Sequence, residues 1–123
     1  MAAPNLLTIS TVTGLTAVAN VTSVSANIVT NAANSNTLVK INSLVISNAN
    51  TLGAAGVVSI TAGVARSTGN YTAASAIAVP ANAALIAISR DANIYLVEGD
   101  ALYVISNANN SLQAICSYEV LAT

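Results

Sequence analysis

Glu98 and Asp100 flank Gly99 in the run "IYLVEGDALYVIS" (Ile94 to Ser106), and they are half of the chain's four acidic residues. Carboxylates this close are raw material for two kinds of chemistry. Calcium takes about six to eight oxygen ligands, and only Asp91 offers a third carboxylate nearby in sequence. Paired carboxylates also hydrolyse glycosidic bonds, in clefts commonly lined with aromatics, but the chain has no Trp and no Phe. The flanking residues favour a third reading. "IYLV" and "ALYVIS" are β-favouring runs, Gly supplies the positive φ of a tight connection, and Asp caps such a turn through its side-chain oxygen. Glu98, Gly99 and Asp100 are therefore assigned to a structural turn whose charges stay solvated and keep strand edges from sticking to other sheets. No metal, cofactor or catalytic role is assigned to them.

Other reactive groups are scarce. The chain has no His, which removes the commonest general base and with it Ser-His-Asp and Cys-His catalysis and Cys-His zinc sites. The single cysteine, Cys116, has no disulfide partner and falls on an alternating segment, where it reads as a small core residue. Tyr71, Tyr95, Tyr103 and Tyr118 are the only aromatics. Tyr71 and Tyr95 are candidate surface contacts, since exposed rings can form a stacking platform. Asn20-Val21-Thr22, Asn70-Tyr71-Thr72 and Asn109-Asn110-Ser111 fit the glycosylation pattern, which arises by chance in an Asn- and Ser-rich chain. Arg66 and Arg90-Asp91 fall at turns and are expected to be solvated, with an Arg free to reach a neighbour's acid. The chain is not expected to be an enzyme.

Composition says what kind of scaffold carries these residues. At 123 residues one domain is expected, large enough to bury roughly two-thirds of its unfolded surface. Charged residues are 6% of the chain, against about 25% in an average domain. Three basic residues cannot build a phosphate-tracking patch, so nucleic acid is not an expected partner. The apolar fraction of 54% and mean hydropathy of +0.71 invite a membrane reading. A spanning helix needs about 20 apolar residues in succession, and the best run, Ala73 to Ile88, is interrupted by Ser75, Pro80 and Asn82. The opening "MAAPNLLTIS" lacks the basic and apolar blocks of a secretory signal. No membrane partner is expected.

The scaffold itself reads as all-β: an antiparallel β-sandwich, jelly-roll or Ig-like, of about eight short strands. Val, Ile and Thr abound while Glu and Lys are nearly absent, and turn-like clusters recur roughly every eight to twelve residues. Strands are expected at 26–31, across "TLVKINSLVIS", across "GVVSITAGVA", at 71–79, 84–89, 93–97 and 101–107, and across "SLQAICSYEVL". In the last, Leu112, Ala114, Cys116, Tyr118 and Val120 share one face, with a period of two. In "GVVSITAGVA" the inward set is Val58, Ile60, Ala62 and Val64. In "TLVKINSLVIS" the phase flips between Ile41 and Leu44. The flip predicts a β-bulge around Asn42-Ser43, with a strand covered on both faces as the competing reading. Residues 1–24, uncharged and rich in Ser, Thr and Val, read as an N-terminal arm or an extra edge strand. Residues 25–123 form the sandwich.

The second half also carries a resemblance. It runs from "YTAASAIAVPANAALI" through Arg90-Asp91 to "IYLVEGDALYVISNANNSLQAICSYEVL", with Val79-Pro80-Ala81 before an apolar strand and Ser117-Tyr118-Glu119 near the end. Over residues 71–121 the chain resembles small virion structural proteins of tailed bacteriophages, notably those of marine and cyanobacterial hosts. The resemblance implies a virion location and a structural role. The role is foremost that of a capsid decoration or cement protein, alternatively a head–tail neck or tail component. It brings no catalytic residues. The implied partners are other virion proteins such as the major capsid protein. The low charge implies further copies of the chain itself, in a symmetric trimer, ring or lattice. A carbohydrate-binding or adhesive β-sandwich module is the other reading.

Overall fold

Side chains alternate across a strand, so a run with every second residue apolar buries one face and leaves the other wet. Stacking two such faces makes a core. The computed structural model, which describes residues 6–48, 58–108 and 112–123, does this with nine strands and two 3-10 turns. One sheet contains β1 (Thr11–Val21), β9 (Leu112–Ala122), β3 (Thr37–Asn48) and β6 (Ala84–Ile88) in that order, with β7 (Ile94–Leu96) also paired to β3. The other orders β2 (Ala26–Thr30), β8 (Ala101–Ser106), β4 (Val58–Arg66) and β5 (Gly69–Val79). Every pairing is antiparallel.

β6 and β7 occupy successive stretches of the same edge of β3, at Leu44–Ser47 and Val39–Ile41, with the 3-10 turn Arg90–Ala92 between them. Counted as one interrupted strand, they leave eight. The first then pairs with the eighth, the second with the seventh, the third with the sixth and the fourth with the fifth. This nesting is the connectivity of a jelly roll. In an Ig sandwich the first two strands share a sheet, whereas here β1 and β2 lie in opposite sheets.

The core draws from both sheets. Leu44, Ile46, Ile60, Leu96, Leu102, Leu112 and Cys116 are fully buried in it. The phase change in β3 is resolved as the bulge its sequence predicts. Ile41 pairs with Tyr118 and Ser43 with Ser117, so Asn42 has no opposite residue. The extra residue lets Val39, Ile41, Leu44 and Ile46 all reach the core despite their mixed parity. In β9, Leu112, Ala114 and Cys116 are buried, Tyr118 and Val120 are half-buried against the same core, and Ile115 points outward. β4 departs from strict alternation. Gly63, read on the solvent side, is buried, and a Cβ there would lie 2.1 Å from the Tyr71 carbonyl oxygen. The close approach of β5 requires a glycine.

β1 is an outer strand of its sheet, in unbroken register with β9 from Thr11–Ala122 to Val21–Leu112. Among the described residues no helix is long and apolar enough to cross a membrane.

Candidate functional site

The Glu98-Gly99-Asp100 connection joins β7 to β8. Gly99 has φ +89°, and Asp100 N–H closes the turn onto the Val97 carbonyl at 3.0 Å. The charges do not both stay in water, contrary to the sequence expectation. Asp100 is 1% exposed. Its Oδ1 accepts from Arg66 Nε at 2.8 Å, and its Oδ2 accepts from Arg66 Nη2 at 2.7 Å and from Val97 N–H at 3.2 Å. Arg66, at the end of β4, keeps its side chain about half in solvent. Its hydrogen bond to Asp100, reinforced by the attraction between the charges, raises the guanidinium pKa above its ordinary value. The expected solvation of Arg66 is thus half right, and the acid it reaches lies in its own chain. A carboxylate held at both oxygens by a guanidinium fork is neither a free base nor a free ligand. Glu98 turns away, and its Oε2 accepts from Asn36 N–H at 3.1 Å. No group of three or more Cys, Asp or Glu among the described residues is arranged to hold a metal ion.

A residue that the sequence reading places at the end of the 26–31 strand, with no role assigned, ties this end together. Asn31 is 2% exposed. Its Nδ2 donates to the Thr37 carbonyl at 3.0 Å and the Leu96 carbonyl at 2.8 Å, and its Oδ1 accepts from Ser35 Oγ and Thr37 Oγ1. Its backbone N–H donates to the Asp100 carbonyl, and its carbonyl accepts from Gly99 N–H. One asparagine therefore links the ends of β2, β3 and β7 with the start of β8. Asn34 and Asn36, with φ +61° and +56°, make the turn that brings Thr37 back, a backbone region that Asn tolerates well. Asn48 does similar work at the opposite end, donating from Nδ2 to the Val79 carbonyl at 3.0 Å and exchanging backbone bonds with Ala83 and Asn82.

The tyrosines divide. Tyr103 is buried, and its hydroxyl meets Thr72 Oγ1 at 3.0 Å across the glycine gap at Gly63. Tyr71 is 57% exposed on β5, with its hydroxyl 3.0 Å from Thr68 Oγ1, and Tyr95 is 40% exposed on β7. The two candidate contacts stand on outer strands of opposite sheets. Cys116 is wholly buried, and burial pushes its thiol up to about 11. Of the glycosylation matches, Asn20 and Asn70 are exposed on β1 and β5, and the third lies outside the described residues.

What remains is surface. Register aligns Val18, Ile115, Val45 and Ile86, one per strand, in a row across the outer face of the β1-containing sheet. Val18 and Ile86 are well exposed, and Ile115 is nearly half so. Further along that face Lys40 stands 4.0 Å from Glu119, and these two, Arg90, Ser43 and Ser117 line a shallow polar depression at the bulge. The apolar exposure is concentrated. Of eleven exposed large hydrophobic residues among those described, six lie within residues 6–24: Leu6, Leu7, Val12, Leu15, Val18 and Val24. No charge precedes Lys40 in the chain, so this concentration is undiluted. Sequence reading set this segment apart as an uncharged arm or edge strand but missed its apolar exposure, because Val and Leu on a β-alternating segment look alike whether they face a core or a partner. Among known proteins, no family model matches the chain and no curated protein matches it.

Proposed function

We propose that the chain is a structural protein of a bacteriophage virion, foremost a capsid decoration or cement protein, acting through contacts among its own copies and with other virion proteins. The observation that carries this reading is the exposed apolar, charge-free segment 6–24, of which residues 11–21 form an outer strand. Single apolar residues are ordinary on a surface, but six large ones gathered in one uncharged segment favour contact with other protein. The resemblance over residues 71–121 supplies the virion setting. Jelly rolls recur in viral capsid and lectin domains, which is support by analogy of fold and no more. The scarcity of charge supports a homo-oligomer, a trimer or ring, because copies repel each other weakly.

Electron cryomicroscopy of the particle that contains the chain tests the proposal. Density for a jelly roll in symmetric groups on the outer capsid is expected. Groups at the neck or tail would move the assignment there, and absence from the particle would end it. The second reading, an adhesive or carbohydrate-binding module, would use Tyr71 or Tyr95 singly, since each ring is exposed on a different sheet. Saturable binding on a glycan array, lost in Tyr71→Ala or Tyr95→Ala, would establish it.

A further inference from the structure

Sheet edges are usually defended by charge, proline, bulges or brevity. β1 has none of these defences. It is eleven residues long, carries no charge and no proline, and holds its register with β9 without a shift. β5, the other eleven-residue outer strand, is interrupted twice in its pairing with β4 and bends through Ala76 at φ +50°. β1 is therefore the regular long edge among the described strands.

Its exposed apolar residues have a symmetry of their own. Val12, Leu15 and Val18 are 57%, 44% and 73% exposed, and Val12 and Val18 stand three residues either side of Leu15. An antiparallel strand pair about a twofold axis through Leu15 sets each Val12 opposite the partner's Val18 and Leu15 opposite its own copy. Gly14 then faces Thr16, and there is nothing within 4 Å of where a Gly14 Cβ would be. Every exposed large apolar residue of β1 gains an apolar partner in this register. No charge on β1 opposes it.

We infer that β1 is a self-pairing edge, and that two copies of the chain join there antiparallel about Leu15 into one continuous sheet. The inference rests on the reading above that the protein works as a homo-oligomer, and it names the surface and register of one contact. Such a contact is isologous. Alone it makes dimers, and in a ring or lattice it links one group to the next. At about 3.4 Å per residue and about 10 Å of sheet thickness, the nine residues of β1 that overlap in this register cover on the order of 300 Å2 per copy. A stable free complex typically buries roughly 800 Å2 per partner. The pairing is accordingly weak in dilute solution and populated at high concentration or within an assembly.

Cysteine cross-linking of the full chain reads the register directly. Paired Cα atoms of an antiparallel ladder lie about 4.5–5.5 Å apart, within disulfide reach. Leu15→Cys should form a disulfide-linked dimer under mild oxidation. Thr13→Cys should not, since its copies would sit about 14 Å apart in this register. Both mutated side chains are exposed, so neither variant is expected to disturb the fold. In sedimentation equilibrium, Val12→Lys with Val18→Lys should abolish self-association, because position 12 faces the partner's position 18. Val12→Glu with Val18→Lys should restore it. Equal cross-linking of both cysteine variants, or none in either, overturns the register. If the native chain self-associates and the double-lysine variant does so equally, the β1 seam fails and the oligomer reading stands. If the native chain stays monomeric at every concentration and Leu15→Cys gives no cross-link, both fail.

Discussion

The clamp between Asp100 and Arg66 is unequal, and the inequality is testable. Arg66 reaches water, whereas Asp100 does not. Removing the guanidinium leaves a buried carboxylate with only the Val97 N–H, while removing the carboxylate leaves a cation that solvent can take over. Urea unfolding should therefore show a larger loss for Arg66→Ala than for Asp100→Ala. Asn31→Ala strips two carbonyls and two hydroxyls of a buried partner and should cost about 3 kcal/mol, read as a lower urea midpoint at unchanged slope. Cys116 provides the pH dependence. Its thiol rises in the folded state from an ordinary 9.0 to about 11, so the native chain keeps a proton that the unfolded chain loses. That contribution is intact below pH 9.0 and is lost as pH climbs toward about 11. Over this window the native protein should lose stability relative to Cys116→Ala. Little of this scale was legible in advance. The acid–glycine–acid spelling of the turn was visible, but that Asp100 meets an arginine 34 positions away depends on β4 and β8 lying side by side. Asn31 looked like any asparagine at a strand end, because nothing local says which amide will be enclosed.

Elements were far more legible, because strand periodicity is local and a buried face enforces it. The expected strands at 26–31, 84–89, 93–97 and 101–107 each match an observed strand to within a residue or two. The flip between Ile41 and Leu44 located the bulge at Asn42. Deleting Asn42 removes the phase correction and would turn Val39 and Ile41 outward or Leu44 and Ile46 outward. Circular dichroism of that variant should show loss of cooperative unfolding. Gly63 was misread for a physical reason: alternation predicts which face a residue takes, not how near the next strand passes. Gly63→Ala must displace the Tyr71 backbone and should cost about 1–3 kcal/mol in thermal or urea unfolding. The strand order could not be read from the chain at all. Jelly-roll and Ig sandwiches use similar strands and turns and differ in which strands become neighbours.

At the level of the whole molecule, contacts between copies should depend little on salt, since few ions are released or screened when neutral surfaces meet. Sedimentation equilibrium in low and high sodium chloride should give closely similar association constants. A steep decline would instead implicate Lys40, Arg90 and Glu119. β9 has a further consequence for how the molecule comes into being. It lies between β1 and β3 with about eleven paired residues on each side, yet it is made after the other eight described strands. During synthesis the β1-containing sheet has a slot where its middle should be, and closing it joins residues about a hundred positions apart, an arrangement that slows folding. Each copy thus closes this sheet only after β9 has emerged from the ribosome. Until then β1, the stickiest edge it owns, lacks even its proper neighbour, so crowded polysomes are where premature entanglement between sister chains would begin.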